Sequence, residues 1–166
     1  MADYEPAFAR LMKDEGIKLS NNPADRGKQT YAGISRQFHP DWIGWRFIDS
    51  GDVPPLDMVR DFYRVEYWNK ITGDSIKSQR VAEAVFSQFV NMGANAIKLA
   101  QTVVGTIADG KLGQKTLYAL NTMDEERFLM MYCIANITRY HAIGMKDKTQ
   151  RVFWPGWIKR GLSICQ

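Results

Sequence analysis

The chain has 166 residues, 45% of them hydrophobic and 24% charged, enough to bury a core in one domain or in two small packed ones. No apolar run approaches the ~20 residues that cross a bilayer, and the acidic start Met1-Ala2-Asp3-Tyr4-Glu5-Pro6 lacks the basic and apolar regions of a secretory signal. The net charge of +4 suits an anionic partner, and the chain has no arginine-rich helix or RNA-binding aromatic motif, so nucleic acid is not expected.

In chain order, Tyr4, Phe8, Leu11 and Met12 recur at helical spacing, with Asp3 as a cap and Gly16 as the stop. A loop rich in Asn, Pro and Gly follows, and a short hairpin between about Ser20 and Gly33 is the one place where strands are expected. The next reading is a short helix around Gly33 to Phe38, then Pro40-Asp41-Trp42 and an aromatic cluster of Trp42, Trp45 and Phe47. Pro54-Pro55 opens a helix on which Val59, Phe62, Tyr63 and Glu66 share a side. Two more apolar patterns run through Val81, Ala84, Val85, Phe89 and Val90, and through Ile97, Ala100, Gln101 and Val104. Asp109-Gly110 and Gly113 make a turn-rich loop before a short helix at Thr116 to Leu120. Asp124 caps a long helix, with Glu125 and Glu126 in its favourable first turn and Gly144 beyond its end. Phe153, Trp154, Pro155 and Trp157 in the tail are expected to pack against the body. The fold expected is mainly α, with any domain boundary near residues 90 to 94.

Glu15 is the residue whose position asks for an explanation. It ends the first expected helix, where the negative pole disfavours an anion by ~0.3 to 1 kcal/mol. Stability alone would prefer lysine there, whereas the same field raises a carboxyl pKa, as a general acid requires. Nine residues separate Glu15 from Asp25, and four more separate Asp25 from Thr30. A pair of carboxylates flanking a sugar bond is what acid-catalysed glycoside cleavage needs. Asp25 is equally a natural turn residue in Asn22-Pro23-Ala24-Asp25-Arg26-Gly27, and Thr30 either holds a water or packs in a strand. Tyr31, Trp42, Tyr67 and Trp68 offer flat faces for sugar rings, with core packing the stronger reading for Trp68. His39 and His141 are too few and too far apart for a metal site, and no metal or cofactor is expected. Cys133 reads as a buried thiol in mid-helix, Cys165 lies one residue from the end, and two cysteines make no disulfide framework.

Glu15-Gly16 followed by Asp25-x-Gly27-x-x-Thr30-x-x-Gly33-Ile34 resembles the opening motif of glycoside hydrolase family 108, the peptidoglycan N-acetylmuramidases of phages and bacterial secretion activators. Tyr63-Arg64-Val65-Glu66-Tyr67-Trp68 and Phe89-Val90-Asn91-Met92-Gly93 resemble two later elements of that family. Asp109-Gly110-Lys111-Leu112-Gly113-Gln114-Lys115-Thr116 is similar to the signature of small helical peptidoglycan-binding domains. The chain departs from the family pattern where Ile17-Lys18 replaces Gly-Tyr after Glu15-Gly16, and where Lys28 follows Gly27 in place of a second glycine.

The resemblance implies a lysozyme-like catalytic region over residues 1–90 and a helical peptidoglycan-binding region over 91–166, packed together and monomeric. It implies cleavage of the β-1,4 bond between N-acetylmuramic acid and N-acetylglucosamine, with Glu15 as the acid, Asp25 and Thr30 assisting, and Tyr31, Tyr67 and Asn91 binding substrate. An endolysin of that kind made without a signal peptide reaches the periplasm and cell wall through a phage holin or an exporter. Two alternatives are a lytic transglycosylase, which uses one acid and leaves anhydro ends, and a noncatalytic wall-binding or secretion-assisting protein on the same scaffold.

Overall fold

A computed structural model describes residues 1–21 and 29–165, which hold eight α-helices and one three-stranded sheet. No helix among the described residues is long and apolar enough to cross a membrane. The chain divides into two compact units, Asp3–Lys70 and Met1–Ala2 with Ile71–Gln166.

The first unit opens with α1 (Tyr4–Glu15). Asp3 caps it by accepting the Glu5 N–H at 3.1 Å, and Gly16 closes it at φ 72 with its own N–H on the Met12 carbonyl. Tyr4, Ala7, Phe8 and Leu11 form its buried face. The Tyr4 hydroxyl donates to the Arg60 carbonyl at 2.7 Å, and its ring lies 5.5 Å from that of Trp68, which is fully buried. Those partners come from α3 (Leu56–Tyr63), entered through Pro55, and from a π-helical turn, Arg64–Trp68, that continues it. The π turn inserts one residue into the helical register and so re-aims Glu66 and Tyr67, a device found mostly at functional sites.

Strands β1 (Leu19–Asn21), β2 (Gln29–Tyr31) and β3 (Ile34–Ser35) form an antiparallel meander. In the register, Leu19 faces Tyr31, and Thr30 stands between Ser20 and Ser35. The expected hairpin is present. The short helix expected around Gly33 to Phe38 is not, because Ala32 (φ 47) and Gly33 (φ 80) make a two-residue turn with both φ positive, which reverses the chain into a third strand. An alanine rarely adopts that conformation, and here the Tyr63 hydroxyl holds it by donating to the Ala32 carbonyl at 2.9 Å. Below the sheet, α2 (Trp45–Ser50) follows the turn through Trp42. Arg36 forks onto Asp49 with two 2.7 Å hydrogen bonds and lies over the Trp45 ring.

The second unit packs α4 (Gln79–Met92), α5 (Ala94–Val103), α6 (Gln114–Thr122), α7 (Glu125–Lys146) and α8 (Trp154–Leu162). Ser78 caps α4 and Asp124 caps α7. Glu125 and Glu126 in the first turn of α7 share Arg80 as their partner. Val81, Val85 and Phe86 of α4, Ile97 and Ala100 of α5, and Phe128, Leu129 and Tyr132 of α7 make the core. Two buried polar bonds pin it: Tyr132 hydroxyl to the Ala96 carbonyl at 3.1 Å, and Tyr140 hydroxyl to Gln88 Oε1 at 3.0 Å. Cys133 is buried and free, its thiol pushed up to about 11 chiefly by that burial, and Cys165 is also free.

Helix α7 runs to Lys146, past the stop expected at Gly144. The glycine is there for space: Trp154 lies against it and donates its indole N–H to the Tyr140 carbonyl at 3.1 Å. A Cβ at Gly144 would stand 2.3 Å from Trp154 Nε1. In an open helix Gly→Ala stabilises by about 0.5–1 kcal/mol. Here the displaced indole reverses the sign, and Gly144→Ala is expected to lose about 1–3 kcal/mol. A thermal unfolding midpoint equal to or above that of the parent would refute this packing.

Candidate functional site

The first unit carries the residues whose types suit sugar chemistry. Glu15 is the last residue of α1, and the packing of Tyr4, Phe8 and Leu11 fixes where that helix end lies. Its side chain lies outside what the structure describes, as does Asp25 altogether, so the expected pairing of the two carboxyls falls outside the described residues. Three residues beyond Gly16 the chain enters β1, and the Ala32 N–H returns to the Lys18 carbonyl at 3.2 Å. Thr30, half-buried, therefore sits on the central strand of the small sheet that adjoins the Glu15 end of α1.

Tyr31, one of the aromatics whose flat faces suit sugar rings, turns inward. It is 5% exposed, stacks on Trp42 at 6.0 Å and reaches the Pro54 carbonyl with its hydroxyl at 3.4 Å. Its ring is taken up by the core, where it anchors β2 beneath Thr30. Trp42 and Trp68 are buried as well. Tyr67 is half-buried on the π turn, with its hydroxyl 3.3 Å from His39 Nε2. Asn91 belongs to α4 in the other compact unit and donates its amide to the Ser87 carbonyl one turn back at 2.8 Å.

His39 is the residue that sequence reasoning passed over, having weighed it only as a metal ligand. It lies edge-on to Phe62 at 4.8 Å, beside Tyr67 and near the Glu66–Lys70 ion pair of 2.6 Å. Its neighbour Pro40 and the nearby Trp42 were visible signals of a fixed turn. Burial holds the imidazole pKa below its ordinary value, outweighing the pull of Glu66 in the other direction. The folded state thus prefers neutral His39, so folding is opposed as pH falls below the unfolded value of about 6.5 and the penalty levels off below the folded one. The thermal midpoint of the parent is expected to fall more between pH 7.5 and 5 than that of His39→Gln. Parallel pH profiles for the two proteins would count against it.

In the second unit the Asp109–Thr116 loop is built around Gln101. That side chain is 1% exposed. Its Nε2 donates to Asp109 Oδ1 at 2.8 Å, the Lys111 carbonyl at 2.9 Å and Thr116 Oγ1 at 3.2 Å, and its Oε1 accepts the Gly110 N–H at 2.8 Å. Gly110 sits at φ 82, where a side chain is strained. Hydrogen bonds from Gln101 and the Lys111 N–H hold the Asp109 carboxyl below its usual range. A cavity of about 510 Å³ opens on this loop. Among the described residues no group of three or more His, Cys, Asp or Glu could hold a metal ion.

The family model for Glycosyl hydrolase 108 matches residues 8–93. The chain belongs to glycosyl hydrolase family 108. A second model, a predicted peptidoglycan domain, matches residues 95–162, so the Gln101 loop lies in the wall-binding part of this family 108 protein. Among solved structures the chain is similar to SagA of Brucella abortus, at 28% identity over 98% of this chain and 95% of that one, with a TM-score of 0.70. No curated protein matches it. The chain is a glycosidase-family protein of peptidoglycan, with the Arg64–Trp68 π turn and the Glu15 helix end both inside the family 108 segment.

Proposed function

We propose that the chain is an N-acetylmuramidase that cleaves the β-1,4 bond between N-acetylmuramic acid and N-acetylglucosamine. Residues 1–90 carry the catalysis and 91–166 hold the wall. Family membership together with the place of Glu15 at the C-terminal end of α1 supports this reading most, since a helix end of that polarity gives a glutamate no stabilising reason to be there.

Glu15 protonates the leaving oxygen, Asp25 takes a proton from the attacking water, and Thr30 holds that water from the central strand. Tyr67, steadied by His39, meets the sugar, while Tyr31 serves from beneath by fixing β2. With a water between acid and base the reaction inverts the anomeric centre, for which the two carboxyls stand ~6.5–9.5 Å apart. Mass spectrometry of fragments released from purified peptidoglycan tests the assignment. Reducing muramic ends, with release by Asp25→Asn slowed at least ten-fold, support it. Anhydro ends and a silent Asp25→Asn move the chain to the transglycosylases.

A further inference from the structure

A second cavity, of about 480 Å³, lies between α5 and α7, away from the Gln101 loop. Leu99 of α5 and Ala135, Thr138, Ala142 and Ile143 of α7 give it small, mostly apolar walls. Two cations complete the lining, Arg139 and Lys146, and no carboxylate lines it among the described residues. Arg139 Nε is buried without a hydrogen-bond partner among the described residues, and neither cation makes an ion pair there. The side chain as a whole is half-buried and lines the cavity, so its guanidinium brings donors there that no described partner takes up, and these suit an acceptor from outside the chain.

The spacing narrows what that acceptor is. Arg139 and Lys146 are two turns apart on one face of α7, about 10.5 Å along the axis. An extended peptide advances ~3.3–3.6 Å per residue, so two carboxylates about three residues apart span the pair. Shallow apolar walls between them fit methyl side chains better than sugar rings, which favour flat aromatic faces. We infer that this groove binds the peptide stem of peptidoglycan, an alanine-rich acidic peptide, with the γ-linked glutamate carboxylate and the C-terminal carboxylate bridging Arg139 and Lys146. The guanidinium takes one carboxylate in a fork, and Lys146 meets the other as a point charge. The inference rests on the wall-binding part of the proposed function, and it names the part of the polymer that is gripped.

The test is calorimetric titration of the full chain with a soluble stem tetrapeptide, L-alanyl-γ-D-glutamyl-diaminopimelyl-D-alanine, alongside pelleting in the cold with intact sacculi and with sacculi stripped of peptides by an amidase. The parent is expected to bind the tetrapeptide and to pellet more completely with intact than with stripped sacculi. Arg139→Gln should weaken tetrapeptide binding at least ten-fold and Lys146→Gln several-fold, with Arg139→Lys recovering part of the loss. Circular dichroism checks that each variant is folded, and Lys146→Gln, on an exposed side chain, keeps the test alive if Arg139→Gln unfolds. Tetrapeptide binding that all three variants leave unchanged overturns the groove assignment. Equal pelleting with intact and stripped sacculi, without tetrapeptide binding, overturns it while leaving the wall-binding reading standing. Failure to pellet with either overturns both.

Discussion

Glu15→Gln is expected to lower the rate of peptidoglycan clearing by about 10²–10⁴-fold, the range a positioned proton donor contributes, while leaving the fold and wall binding intact. Gln keeps the shape and the hydrogen-bonding reach of Glu but has no proton to give the leaving oxygen. The substitution also removes a charge from the negative end of α1, so its effect on stability is neutral to slightly favourable. Rate and stability therefore move independently, which separates a catalytic role from a structural one. Turbidity loss of purified sacculi, followed with circular dichroism and pelleting on the same preparations, reads all three. Clearing at the parental rate would remove Glu15 from the mechanism. Absence of clearing by parent and variant alike, with both still pelleting, would make the chain a binding protein on a hydrolase scaffold.

The second large effect is expected at Gln101, in the other unit. Gln101→Leu preserves helix propensity and approximate volume but deletes every hydrogen bond that ties α5 to the Asp109–Thr116 loop. Asp109 and Lys111 are exposed and recover water, and the buried Thr116 hydroxyl keeps the Thr106 hydroxyl at 3.3 Å, whereas the half-buried Gly110 N–H is left wanting a partner. With about 1–3 kcal/mol for an unsatisfied buried group, the loss is about 1–3 kcal/mol in urea unfolding. Release of Asp109 adds a second signature: its carboxyl returns toward the usual range, so the parent's small loss of stability on acidification below about pH 4 shrinks in the variant. A midpoint shift below a few tenths of a kcal/mol would show that the network is dispensable.

Much of the architecture was legible because its signals are local. Asp3 and Gly16 bound α1 by capping chemistry that needs only neighbouring residues, and Asp124 with Glu125 and Glu126 did the same for the start of α7. What was misread depended on distant partners. Gly144 looked like a helix stop until Trp154 was found seated on it, and Ala32 gave no sign of a left-handed turn because the hydroxyl of Tyr63 holds it from another element. Gln101 fell in an apolar spacing and was counted with its neighbours, although its amide is the anchor of the loop. At the candidate site, the family motif picked out Glu15 and Thr30 from the chain. It could not tell that Tyr31 faces inward, since a tyrosine beside a catalytic-type threonine reads the same whether its ring meets sugar or Trp42.

Helix α4 has a divided allegiance. The family 108 match extends through it to Gly93, yet its buried residues Val81, Val85 and Phe86 belong to the compact unit built with α5 and α7. A cut after Gly93 would strip that face bare in one fragment and leave a trough in the other. The two family segments are therefore not interchangeable cassettes: recombination that swaps one hydrolase head for another must bring an α4 whose inner face already matches the recipient's α5 and α7. Chimeras joined near residue 70 keep that seam whole, and descent by domain shuffling in such chains should leave its breakpoints before α4 rather than after it.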